Sequence, residues 1–139
     1  MVYITLTEEE IRENIWDNIN TLLVEGSIAS TIYAEYPDEA LSYPIITLSF
    51  SDINSSSLTM SRGKTKFNFS CLITIYDVNP LVMAQKADDV CALFNNNYSA
   101  INSRGLRNIH VASSPITTTI KNGNKVHVCN IGIIGDALL

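Results

Sequence analysis

The alternation of apolar and polar positions is clearest between Lys64 and Asp77. Phe67, Phe69, Cys71, Ile73 and Ile75 fall on one side, with Lys66, Asn68, Ser70, Thr74 and Tyr76 on the other. A period of two is the mark of a half-buried strand. A second period appears near the N-terminus, where Ile11, Ile15, Ile19, Leu22 and Leu23 recur at helical spacing with Trp16 at the edge of the stripe. It predicts a helix over about 8–25, roughly 27 Å long at helical rise. Thr7-Glu8-Glu9-Glu10 reads as the capping box of that helix, and its acids suit the positive end of the helix dipole. Gly26 stands where a stop is expected.

Between these two stretches, Ile28, Ile32 and Tyr33 suit a short strand or a tight turn, and Tyr36-Pro37-Asp38-Glu39 reads as a turn. Pro44 opens a strand over Ile45 to Ser51, with Ile46, Leu48 and Phe50 on one face. The serine-rich stretch at about 51–63 is expected to be a flexible loop, and a loop of that length is usually functional or disordered. Leu58 and Met60 within it are candidate anchors for a partner. Asn79-Pro80 supplies an N-cap and a first-turn proline for a second helix, over about 80–95. Its stripe is Met83, Ala87, Val90, Cys91 and Phe94, and it ends in Asn95-Asn96-Asn97. Leu106 to Ser113 then reads as a strand, interrupted at Pro115 and resumed over Ile116 to Lys121. Asn122-Gly123 marks a two-residue hairpin turn, with Val126 to Ile134 returning, so that a C-terminal hairpin spans about 116–134. The expected fold class is α+β. A mainly antiparallel sheet of about four to six strands carries two amphipathic helices, with a long loop between the first two core strands.

Composition narrows the function. The 139 residues suit one domain, 1–139, and apolar residues at 46% suffice for a buried core. No apolar run is long enough for a membrane helix and no signal pattern opens the chain, so it is expected to be made and to work in the cytoplasm of the cell that makes it. Three widely spaced cysteines, Cys71, Cys91 and Cys129, read as buried free thiols. The net charge of −5 argues against a general nucleic-acid binder. Its distribution is uneven: residues 1–52 hold ten acids against Arg12, and residues 53–139 hold four acids against eight bases. A subunit polarised in this way can attract copies of itself head to tail, and such contacts close into rings or run on as filaments. A solvated acidic helix without a partner would give the same pattern.

The sequence carries no recognisable catalytic constellation. Gly63-Lys64-Thr65 resembles the end of a phosphate-binding loop, but Leu58 stands where the first glycine belongs and a strand follows instead of a helix. His127 and Cys129 share a strand face without further ligands at zinc spacing, and His110 reads as a solvent-facing strand residue. Asp88 and Asp89 diverge by about 100° on a helix, unlike a working carboxylate pair. No serine elbow is present. The expectation is a protein that is not an enzyme and holds no cofactor or metal.

The order of these elements carries a resemblance. Ile11-Arg12-Glu13-Asn14-Ile15-Trp16, the phrase Tyr43-Pro44-Ile45-Ile46-Thr47-Leu48, the strand Phe67 to Asp77 running into Asn79-Pro80, Ala87-Asp88-Asp89-Val90 and the Asn122-Gly123 hairpin follow one another over nearly the whole chain. In order and spacing they resemble the tail terminator (tail completion, head–tail joining) proteins of long-tailed bacteriophages. That resemblance implies an α+β subunit of a hexameric ring in the virion neck. The ring caps the head-proximal end of the tail tube, stops its polymerisation and offers a surface to the head connector. The implied partners are further copies of the chain, the tail tube protein and the connector or stopper proteins. Genomic DNA passes through without specific binding, and no membrane is involved. Leu58, Met60, Arg62 and Lys64 are then the candidate contacts to the next layer, and Glu9, Glu13 and Asp17 the candidate contacts to a neighbour's bases. Alternatives from the same reading are another neck or tail component (a connector, a stopper or a small tube protein) and a non-viral cytoplasmic binding module.

Overall fold

A computed structural model describes residues 8–29, 31–37, 43–54, 60–61, 64–121 and 123–138, with side chains over 9–29, 31–37, 43–50, 67–121 and 123–137. In chain order the elements are α1 (Glu8–Glu25), β1 (Ile45–Asn54), β2 (Met60–Ser61), β3 (Lys64–Asp77), α2 (Pro80–Asn96), α3 (Tyr98–Ser103), β4 (Leu106–Ser113), β5 (Thr117–Lys121) and β6 (Asn124–Leu138). The fold is α+β, as the periodicities predict. Its six described strands form an antiparallel sheet in the order β1-β3-β6-β4, with β2 added to β3 and β5 added to β6.

The alternating strand is the middle of this sheet. β3 pairs along its length with β1 on one side and β6 on the other, placing Ile73 between Leu48 and Ile131 and Ile75 between Ile46 and Cys129. These paired residues point to one face and all are buried. The stripe of α1 (Ile11, Ile15, Ile19, Leu22, Leu23) and that of α2 (Met83, Ala87, Val90, Phe94) are buried in the same core cluster. Burial of each of these side chains other than Ala87 favours folding by about 1.5–3 kcal/mol. The exposed Arg104–Glu25 ion pair at 3.1 Å, by comparison, stabilises by at most about 1 kcal/mol. The core therefore sets the architecture.

Local chemistry explains the element ends. The Asn79 side chain accepts from the Leu81 and Val82 amides, with Pro80 in the first turn, as the sequence predicts for α2. α1 closes differently from expectation. Ile28 N–H donates to Leu23 O and Ser27 N–H to Val24 O, and Ser27 itself, at φ 59°, takes the left-handed position that favours glycine. Gly26 serves packing instead: a Cβ there would stand 2.9 Å from Leu93 Cδ1, so the missing side chain lets α2 approach. Cys91, placed in the α2 stripe by sequence, is only half-buried because it lies one position off the Met83–Ala87–Val90–Phe94 line. The short helix α3 has no forerunner in the sequence reading; it buries Ile101 and turns into β4 through Gly105 at φ 78°.

Two strands run further than side-chain pattern suggests. β1 continues past a bulge at Ser51 to pair Asn54 with Asn68, and Met60–Ser61 pairs with Thr65–Lys64. The expected loop over about 51–63 is thus shortened at both ends, because ladder hydrogen bonds come from the main chain and serines pair as readily as valines. Residues 55–59 and 62–63 lie outside the described residues, as do Thr7 of the capping box, Asp38 and Glu39 of the expected turn, and Asn122 of the hairpin turn. β6 likewise extends four residues beyond Ile134, to Leu138.

At the far side, β4 and β5 follow each other along the same edge of β6 with the break at Pro115 that the sequence predicts. Ser114 bridges the break: its N–H donates to Asn130 O at 2.8 Å, and its hydroxyl accepts from Asn130 N–H at 3.2 Å. At the other edge, Tyr33 pairs in parallel with β1, exchanging bonds with Ile46 O and Leu48 N–H. The Trp16 indole N–H then donates to Leu48 O at 2.9 Å, tying α1 to the outer rim of that strand.

Truncation in the core should cost far more than loss of this tie. In urea unfolding, Ile73→Ala should lose about 2–5 kcal/mol and Trp16→Phe about 1 kcal/mol. Equal losses would contradict the layering described.

Candidate interaction surface

Three features outside the core position chemistry that a partner can meet. The first is the hairpin of β2 and β3. Its Ser61–Lys64 pair leaves only Arg62 and Gly63 between the strands, which is the length of a tight two-residue connection. Among the described residues, pairing of β3 with β6 reaches Lys66–Leu138, while pairing with β2 goes on to Lys64. At strand rise the hairpin reaches about 7 Å past that last pair. Met60 and Lys64, two of the residues singled out by sequence, therefore lie on one paired tip. Leu58 and Arg62 lie outside the described residues.

The second is the sheet face that carries neither α1 nor α2. Toward the β5 end it is partly covered by tyrosines. Tyr36 packs edge-on against Tyr76 at 4.8 Å, its hydroxyl is 3.0 Å from that of Tyr43, and Lys121 Nζ sits 5.1 Å from its ring centre. Burial, with the Tyr43 hydroxyl bond and the neighbouring tyrosines, pushes the Tyr36 hydroxyl up to about 12. Toward the other end lies a shallow groove of about 330 Å³ lined by Asn68, Ser70, Asn108, His110, Ile134 and Asp136 among others. A bulge in β4 shapes it. Asn108 adopts φ 54° and its amide donates to Asp136 Oδ2 at 2.8 Å. Gly135 leaves room for Ile109, whose side chain a Cβ would strike. His110 is exposed there, as its sequence position predicts, and Ile134 is 53% exposed. Polar groups around an apolar floor suit contact with another chain.

The third feature is the distribution of charge about the sheet. Glu9, Glu13 and Asp17 are all exposed on α1. Helix geometry puts them about 20°, 60° and 100° round from Trp16, all turned away from the core. Because Trp16 is bonded to the outer rim of β1, this acidic stripe flanks the β1 edge of the molecule. The opposite edge is formed by β4 and β5. From Val90 to Gly135 the sequence has no acid and four cations, Arg104, Arg107, Lys121 and Lys125. Arg104 meets Glu25, and Arg107 donates to Asn102 O and Leu106 O, while Lys125 stands exposed beside the β5–β6 turn. Sequence reasoning found the charge split. It missed Ile120 and Lys125 at this turn, although the Asn122-Gly123 signal marked where a tip would be.

The thiols are placed for packing. Cys71 is buried and Cys129 is buried with its Sγ 3.5 Å from Ser114 O. Burial pushes Cys71 up to about 12 from 9.0 and raises Cys91 and Cys129, the last two also through Asp88. Such thiols are poor nucleophiles at neutral pH. Among the described residues, no three His, Cys, Asp or Glu side chains gather as a metal site would require, and no helix is long and apolar enough to cross a membrane.

A thiol whose pKa is higher folded than unfolded keeps its proton in the folded state. Its contribution is complete below the unfolded value and is lost as pH rises through the folded one. Stability should therefore fall as pH rises from 9.0 toward about 12, where Cys71 titrates. Cys71→Val should flatten that fall in urea midpoints, and an unchanged slope would contradict the assignment. Compared with protein-family models and with curated proteins, the chain matches none.

Proposed function

We propose that the chain is a structural virion protein, a tail terminator that caps the head-proximal end of a phage tail tube as a ring and receives the head connector. The observation that carries the reading is the unlike charge of the two outer strands' surroundings: the Glu9, Glu13 and Asp17 stripe beside β1, and strands β4 and β5 whose own charged residues, Arg107 and Lys121, are cations, with Lys125 exposed at the β5–β6 turn. A subunit with unlike edges makes heterologous contacts, and heterologous contacts that close give rings. The resemblance in order and spacing to tail terminators gives that ring its place. The remaining features suit the role. A paired tip at Met60 to Lys64 can reach an adjacent layer, and the candidate surfaces are built for contact. The acidic balance of the whole chain favours passage of DNA without grip.

The test is genetic. A phage genome in which the reading frame is interrupted should yield filled heads and unjoined tails of uncontrolled length. Joined virions should return when the chain is supplied in trans. Normal virions in its absence would overturn the proposal, and loss of tubes altogether would assign the chain to the tube instead.

A further inference from the structure

Resting on the ring reading above, the structure assigns the two surfaces that meet: the β5–β6 hairpin of one copy docks on the α1 stripe of the next through the face that carries Ile120 and its cross-strand partner Lys125, with Lys125 facing Glu9, Glu13 and Asp17. Three observations select the hairpin. β5 lies at the sheet edge, paired with β6 alone among the described strands, so no further described strand stands outside it. The hairpin also exposes apolar side chains that its own fold does not cover, Ile120 at 74% and Ile116 at 44%. Its charge is of one sign, since no acid lies between Asp89 and Asp136.

The occupant follows from charge complementarity and position. The acids of α1 are spaced four residues apart on consecutive turns, so they form one line of carboxylates rather than a scattered set. The Trp16–Leu48 bond fixes that line beside the sheet edge opposite β5. Tyr33 and Trp16 also occupy the outer hydrogen-bonding groups of Ile46 and Leu48, so strand addition at that part of β1 is blocked. What the β1 edge offers there is the helix flank, and what the β5 edge offers is a lysine-bearing apolar hairpin. A hairpin placed on the flank through this face buries Ile120 and Ile116 and sets the Lys125 ammonium against carboxylates. The like-signed alternatives, flank on flank and hairpin on hairpin, repel. The contact is therefore directional, as a ring requires.

Disulfide trapping and charge exchange test it. In a Cys91→Ser background, mixing Glu13→Cys with Lys125→Cys should give a crosslinked dimer at least about fivefold above either variant alone, because a heterologous contact joins unlike surfaces. Ser49→Cys, at an exposed position on the helix-free face of β1, is the control. Separately, Glu9→Lys/Glu13→Lys/Asp17→Lys and Lys125→Glu should each weaken self-association by at least about tenfold in sedimentation velocity. Mixing the two charge variants should restore it, since each then presents the partner sign to the other. A wild-type chain that self-associates while the mixed cysteine variants crosslink no better than the control overturns this contact and leaves the ring reading standing. A wild-type chain that stays monomeric at every concentration and crosslinks in no arm overturns the contact too. The virion role is read independently, from the joining of heads and tails.

Discussion

The double-sided pairing of β3 is the constraint on which the rest of the molecule depends. With β1 on one flank and β6 on the other, its main chain is satisfied across the sheet, so its only freedom is which face each side chain takes. The period of two settles that: a slip of one residue would send Phe67, Phe69, Cys71, Ile73 and Ile75 to the face without helices. Once this face is fixed, α1 and α2 have one place to bury their stripes. Everything offered to a partner is then what is left over: the end of β3 that pairs with β2, the other face of the sheet, and the two sheet edges.

Those leftovers differ in character because different residues seal them. The β1 edge is occupied at Ile46 and Leu48 by Tyr33 and by the Trp16 indole, so contact there must be with side chains of α1. The β4–β5 edge is shaped by Pro115, Ser114 and the Asn108 bulge, devices that bend an edge strand and limit indiscriminate pairing. Beyond Pro115 only five residues of β5 remain, with Ile120 outward. A short, apolar edge with Lys125 beside it and the acidic flank of α1 are the unlike surfaces on which the proposed head-to-tail contact rests.

Much of this was legible in the sequence where burial drives the pattern. The bounds of α1, the two faces of β3, the Asn79-Pro80 cap and the break at Pro115 all follow from period, cap chemistry or the missing proline N–H. Legibility failed where the main chain alone does the pairing. The last residues of β1 and the pair at Met60–Ser61 carry serine, asparagine and aspartate, which read as loop although their peptide groups complete the ladder. It failed again where a backbone angle matters more than a residue type. Ser27 holds the left-handed cap beside an available glycine, because Gly26 is needed bare against Leu93. The candidate surface was legible in charge but not in place. The sums over residues 1–52 and 53–139 announced a polarised subunit, and only the Trp16–Leu48 bond and the strand order turn that into two opposed edges.

The proposed role is most directly tested by where the protein sits. Electron cryomicroscopy of virions decorated with a Fab raised against the chain should show density as a single ring between the tail tube and the head connector. Density repeated along the tube, density confined to another layer, or particles without the protein would contradict it.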